Sequence, residues 1–138
     1  MSNDLKQKYS NIAKLGKITT PYLGSTKTEP EHLGIDIANS NGTPIKSNTK
    51  GIVTDASYYP DDFGNSIMIK DNKGNLHKYS HLKKMFVNKG MKVEKGTHIG
   101  NMGDTGNSYS PSGGDSSHLD YRVTGKGGKN INPTKFFK

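Results

Sequence analysis

Residues 116–123 read SSHLDYRV. Side chains alternate between the two faces of extended chain, so in a strand His118, Asp120 and Arg122 share one face while Leu119, Tyr121 and Val123 share the other. The apolar triplet belongs against a core. The polar triplet then lies on the opposite side of the same strand, where an imidazole and a carboxylate two residues apart need something to act on. The earlier stretch HLGIDIA, residues 32–38, repeats the texture, with His32, Gly34 and Asp36 on one face and Leu33, Ile35 and Ile37 on the other. In a third stretch, KYSHL at 78–82, the same alternation predicts Tyr79 and His81 on a common face.

The surroundings of these stretches predict a mainly β, antiparallel fold. The chain has 138 residues, the size of one domain. Only 29% of them are hydrophobic, but 17 glycines with scattered Asn, Asp, Ser and Pro punctuate short apolar runs, which is the texture of a turn-rich β domain. Asp71-Asn72-Lys73-Gly74 between NSIMIK and NLHKYSHL reads as a hairpin turn, because Asn and Gly tolerate positive φ. Residues 1–15, with Leu5, Tyr9, Ile12 and Leu15 at helical spacing, form a short, weakly helical lead-in, and 16–138 form the main domain.

Charge and cysteine content narrow the partners. Twenty Lys plus Arg against twelve Asp plus Glu leave a formal charge of +8, suited to an anionic partner such as nucleic acid, a membrane surface or an acidic cell-wall polymer, among which charge alone does not choose. Nearly all the basic residues are lysine and no basic stripe interleaved with aromatics appears, which argues against base readout in nucleic acid. With no cysteine, disulfides and thiolate metal sites are excluded. No apolar run reaches the length of a membrane span, and MSNDLKQKYSNIAK lacks the apolar region of a secretory leader. The glycine-rich SPSGGDSS at 110–117 lacks the lysine and helix of a phosphate cradle. GMKVEKGTHIG at 90–100 has the look of a biotinyl carrier hairpin but not its lysine between methionine-like neighbours.

Chemistry is therefore sought among the histidines. His77 and His98 are expected to be ordinary solvated residues. His32, Asp36, His81, His118 and Asp120 form a group in which imidazoles and carboxylates, the usual ligands of a divalent metal such as zinc, recur on non-core faces.

Taken in order, H-x-x-x-D (32–36), G-T-P (42–44), G-N-S-I-x-I (64–69), Y-x-H-L (79–82), V-x-x-G-x-x-I-G-x-x-G-x-T-G (93–106), H-L-x-Y (118–121) and the closing INPTKFF resemble the lysostaphin-type zinc endopeptidases that cleave peptidoglycan peptides. The resemblance runs from about Gly16 to Lys138. It implies an antiparallel β fold with a groove walled by loops, zinc as cofactor, and a peptidoglycan peptide as substrate. Candidate walls are residues 20–31, residues 57–64 with Tyr58 and Tyr59, and residues 107–117.

Residue by residue, the resemblance places His32 and Asp36 on the first two zinc ligands, and His81 and His118 on the histidines that assist catalysis. Asp120 falls where the family has its third ligand, a histidine. Aspartate can ligate zinc, but it is shorter and adds a second negative charge, which implies a weaker Lewis acid or a taste for harder metals. The expected function is zinc-dependent hydrolysis of stem-peptide or cross-bridge bonds. The alternative is an impaired member acting as a cell-wall-binding or activator module. The expected setting is the cell wall, reached by an endolysin-like enzyme of bacteriophage origin, either as a monomer or within a virion, without membrane insertion.

Overall fold

The computed structural model describes residues 11–23, 32–60, 62–106 and 116–137. The expected positions of Leu5 and Tyr9, and most of the candidate walls 20–31 and 107–117, lie outside the described residues. After a short helix at 11–15, the described chain is built from strands. They are β1 (Lys17–Thr20), β2 (Ile35–Ala38), β3 (Pro44–Lys46), β4 (Gly51–Tyr59), β5 (Gly64–Lys70), β6 (Leu76–Met85), β7 (Lys92–Val93), β8 (His98–Met102), β9 (His118–Thr124) and β10 (Asn130–Ile131), followed by a 3₁₀ turn at Pro133–Phe136. All pairings are antiparallel. The main path runs β1-β2-β9-β6-β5-β4-β7, while β8 joins β6 to β3 and β10 joins β9.

β9 occupies the centre of the site-bearing region, between β2 and β6. Its apolar triplet is buried as alternation requires, with Leu119, Tyr121 and Val123 packed among Ile35, Ile37, Ile67, Ile69 and Leu82. Full burial of each such side chain contributes about 1.5–3 kcal/mol, and this fixes the register, because a slip of one residue would turn the triplet outward. In that register Asp36 of β2 stands directly opposite Asp120 of β9, and Ser80 of β6 stands opposite Asp120 on its other side. The hairpin predicted at 71–74 joins β5 to β6, with Gly74 at φ 87° and the Asp71 carboxylate accepting from the backbone amides of Lys73 and Asn75.

One expectation from alternation fails. Tyr79 and His81 do not share a face: Tyr79 is in the core against Tyr121, ring centroids 5.0 Å apart, whereas His81 lies beside His118. The cause is local. His81 has φ 65°, and the β5–β6 ladder shifts register between Asn65 and Ile67, so a bulge turns the side chain to the other surface.

His77 is also not solvated. It is fully buried, its Nδ1 is 2.7 Å from the Tyr121 hydroxyl and its Nε2 is 3.0 Å from Asp71 Oδ2. Phe136 packs edge-on against it, so the INPTKFF segment closes over this buried chain of polar groups. His98 is exposed as expected and pairs with Asn101.

Burial outweighs the attraction of Asp71 and holds His77 below the ordinary histidine value of 6.5. As pH falls through that value the unfolded chain takes up a proton that folded His77 resists, so its contribution to stability is lost on acidification. Burial raises Asp71, but hydrogen bonds led by the one from His77 outweigh it and hold the carboxyl low, so its own contribution is lost only at more acid pH. His77→Gln is expected to destabilise the protein by about 1–3 kcal/mol at neutral pH. Urea unfolding should find that gap narrowing between pH 7 and pH 5, and a gap that stays constant would contradict a neutral His77.

Candidate metal centre and its flanking histidines

His32 precedes β2, separated from it by a bend at residues 33–34, rather than lying within the strand. Its Nδ1 is 2.7 Å from the carbonyl oxygen of Gly34; a carbonyl only accepts, so Nδ1 carries the proton and Nε2 is turned toward the carboxylates. Nε2 lies 3.3 Å from Asp36 Oδ1 and 3.6 Å from Asp120 Oδ2. All three side chains are largely buried, at 2%, 14% and 5% exposure for His32, Asp36 and Asp120. Their candidate donor atoms lie within 4.8 Å of one another.

Several features fit a cation at this point. Asp36 Oδ1 is buried and meets no partner with hydrogen-bond geometry, so its contact with His32 Nε2 is electrostatic. Such an orphaned acceptor costs free energy unless a cation satisfies it. In a tetrahedral site with donors about 2.0–2.2 Å from the metal, donor atoms stand about 3.3–3.6 Å apart, which is the spacing of His32 Nε2 to the two carboxylates. Burial opposes charging of His32, but Asp120 and Asp36 outweigh it and push its pKa up to about 10. The two carboxylates thus draw a positive charge into the gap between them. In the register of β2 and β9 the shorter Asp120 stands opposite Asp36, and its Oδ2 reaches to 3.6 Å from His32 Nε2.

The other two histidines flank this group. His118 Nδ1 is 2.9 Å from the Ser116 carbonyl and His81 Nδ1 is 2.7 Å from the Thr105 carbonyl, so each also turns Nε2 away from its backbone anchor. His118 Nε2 comes within 3.9 Å of Asp36 Oδ1, and the two imidazoles are 4.5 Å apart at their centroids. Burial, and after it the neighbouring His118, lower the pKa of His81, which keeps that ring neutral. The positive φ of His81 is a strained conformation of the kind that collects at functional sites.

Three supporting residues escaped the reading of the sequence. Thr105 anchors His81 by its carbonyl and β6 by its hydroxyl, which donates to Leu82 O at 2.8 Å. Its signal was the T-G at 105–106, which the resemblance included without a role. Arg122 forks onto Asp120, Nε to Oδ1 at 2.9 Å and Nη2 to Oδ2 at 3.0 Å, and was visible only as the third member of a polar face. Gly34 leaves room for that fork: a Cβ there would stand 2.5 Å from Arg122 Cγ and 2.7 Å from the Tyr121 carbonyl. Of the candidate wall tyrosines, Tyr58 is exposed, and Tyr59 is hydrogen-bonded to Asp55 at the end of β4 opposite Gly64.

An antiparallel sheet presenting one imidazole and two carboxylates able to hold a metal, with two anchored histidines beside them, defines a metallopeptidase-like centre. The profile of Peptidase family M23 matches residues 30–133, and the chain belongs to that family. It is 34% identical over 102 residues to the peptidoglycan DD-endopeptidase ShyA of Vibrio cholerae, covering 74% of this chain and 22% of that protein. It is 35% identical over 109 residues to the murein hydrolase activator NlpD of Salmonella dublin, covering 79% of this chain and 27% of that one. The chain thus spans about a quarter of the length of these curated relatives.

Among solved structures, lysostaphin from Staphylococcus simulans superposes with a TM-score of 0.76 at 27% identity, over 94% of this chain and 50% of that one. A zinc-containing peptidase from Vibrio cholerae superposes with a TM-score of 0.74 at 27% identity, over 86% and 36%. The expected lysostaphin-type fold is therefore the fold of this protein.

Because a methyl group at position 34 would meet backbone as well as side chain, Gly34→Ala is expected to cost about 1–3 kcal/mol in chemical unfolding. An unchanged midpoint would show that Arg122 does not need this space.

Proposed function

We propose that the protein is a zinc-dependent endopeptidase acting on peptide bonds of bacterial peptidoglycan. The observation that carries this reading is the buried His32, Asp36 and Asp120 group, with an orphaned carboxylate oxygen inside it and two Nε2-facing histidines at its edge. His32, Asp36 and Asp120 would hold the ion, leaving a coordination position for substrate and water. Bound there, zinc supplies Lewis acidity to the scissile carbonyl and to the attacking water.

The chain's own part is proton handling and positioning. His81 and His118, each fixed by an Nδ1 hydrogen bond to a carbonyl, offer Nε2 as proton acceptors. One takes the proton of the attacking water; as an imidazolium it then hydrogen-bonds the developing oxyanion and returns the proton to the leaving amine. Burial, helped by the His118 ring 4.5 Å away, holds His81 in the neutral form that can accept a proton. The ShyA relative supports a peptidoglycan substrate, and the +8 charge suits anionic wall polymers.

A second reading is favoured by one feature: both oxygens of Asp120 already accept from Arg122. On that reading the chain is an impaired member that activates a separate hydrolase, as the name of the NlpD relative describes for that protein.

Metal content by mass spectrometry on protein purified without chelator, together with release of new amines from purified cell walls, separates the two. Endopeptidase action predicts about one zinc per chain and steady amine release. Asp120→Ala should lose the metal, and His118→Ala should keep it while activity falls by about 10²–10⁴-fold. No bound metal and no amine release, with stimulation of an added wall hydrolase, would establish the activator instead.

A further inference from the structure

We infer that Arg122 is the positioning and charge-compensating residue of this centre, so that Asp120 and Arg122 act together as one electrically neutral donor to a divalent cation. The inference rests on the metal-binding reading above and goes beyond it by assigning a residue outside the donor set. The geometry is that of a held fork. The guanidinium grips both Asp120 oxygens, at 2.9 and 3.0 Å, and lies 4.9 Å from the centroid of the Phe63 ring, and its stem crosses the space left by Gly34. A carboxylate has about four lone-pair sites. The fork uses one on each oxygen, and Oδ2 still faces His32 Nε2 at 3.6 Å.

Charge explains why such a clamp is needed. Asp36 and Asp120 are directly opposed across neighbouring strands, an arrangement that destabilises a sheet when both carry the same charge. With Arg122 included, the group of two carboxylates and one guanidinium carries a net charge of −1. That equals the charge of one carboxylate with two neutral imidazoles, so a bound dication keeps one uncompensated positive charge. The rigid planar fork also fixes the carboxylate's orientation, which a lysine at the same place would not do.

It follows that residues 120 and 122 must change together. Histidine is an ordinary zinc ligand, yet Asp120→His alone removes the carboxylate that the Arg122 guanidinium grips while leaving that positive charge near the ion. Zinc affinity, measured by competition with a chromogenic chelator, is expected to fall at least about tenfold in Asp120→His and to recover by a similar factor in Asp120→His/Arg122→Met. Asp120→Asn with and without Arg122→Met gives the same comparison in a near-isosteric side chain, should the histidine fold poorly. Arg122→Met alone should lower the unfolding temperature of the chelator-stripped protein.

Zinc affinities that are equal with and without Arg122 in both backgrounds would overturn the inference while leaving the metal reading intact. Full zinc binding by Asp120→Ala would instead remove Asp120 from the donor set, and absence of zinc binding by the unaltered protein would remove the metal reading itself.

Discussion

Two buried carboxylates face each other across adjacent strands, and the centre depends on how that repulsion is met. Asp36 and Asp120 are paired in register by β2 and β9, whose opposite faces are locked into the core by Ile35, Ile37, Leu119 and Tyr121. The hydrophobic effect therefore does the aligning, and electrostatics must accommodate the result. His32 answers from one side, drawn toward the charged form by the two acids, and Arg122 answers from the other with a bidentate fork. The three side chains could hold a divalent cation between them, and His32 Nε2 stands from each carboxylate at the distance expected for two donors of a tetrahedral site.

The fold places the flanking histidines to the side of the group that could hold a metal. His32, His81 and His118 all hold their Nδ1 against a backbone carbonyl, which selects one tautomer and aims each Nε2. Only His32 sits between the acids. His118 and His81 stand to the side as a close pair, the second placed there by a bulge and a strained backbone, and a proton passed between substrate and rim fits that placement. Membership of Peptidase family M23 and likeness to lysostaphin give the arrangement its setting. Among the described residues no helix is long and apolar enough to cross a membrane.

How much of this was legible depends on whether the information is local. Leu119, Tyr121 and Val123 declared their face by alternation, and the hairpin at 71–74 by its Asn and Gly, because both signals lie within a few residues. His81 was misplaced because a bulge is decided by the partner strand, here the shift between Asn65 and Ile67. His77 was misread as a solvated residue because its partners, Asp71, Tyr121 and Phe136, are brought together only by the sheet and the closing turn. Asp120 could be flagged as a departure from the family pattern, but its compensation by Arg122 and the space left by Gly34 belong to side-chain geometry.

The central claim is that one imidazole and two carboxylates share a single ion. Anomalous-difference crystallography at the zinc edge, on protein never exposed to chelator, addresses it directly. The account predicts one peak about 2.0–2.2 Å from His32 Nε2 and from an oxygen of each of Asp36 and Asp120, with the Arg122 fork still in place. A peak bound by other residues, or an Asp120 carboxylate held by Arg122 with the ion elsewhere, would contradict it.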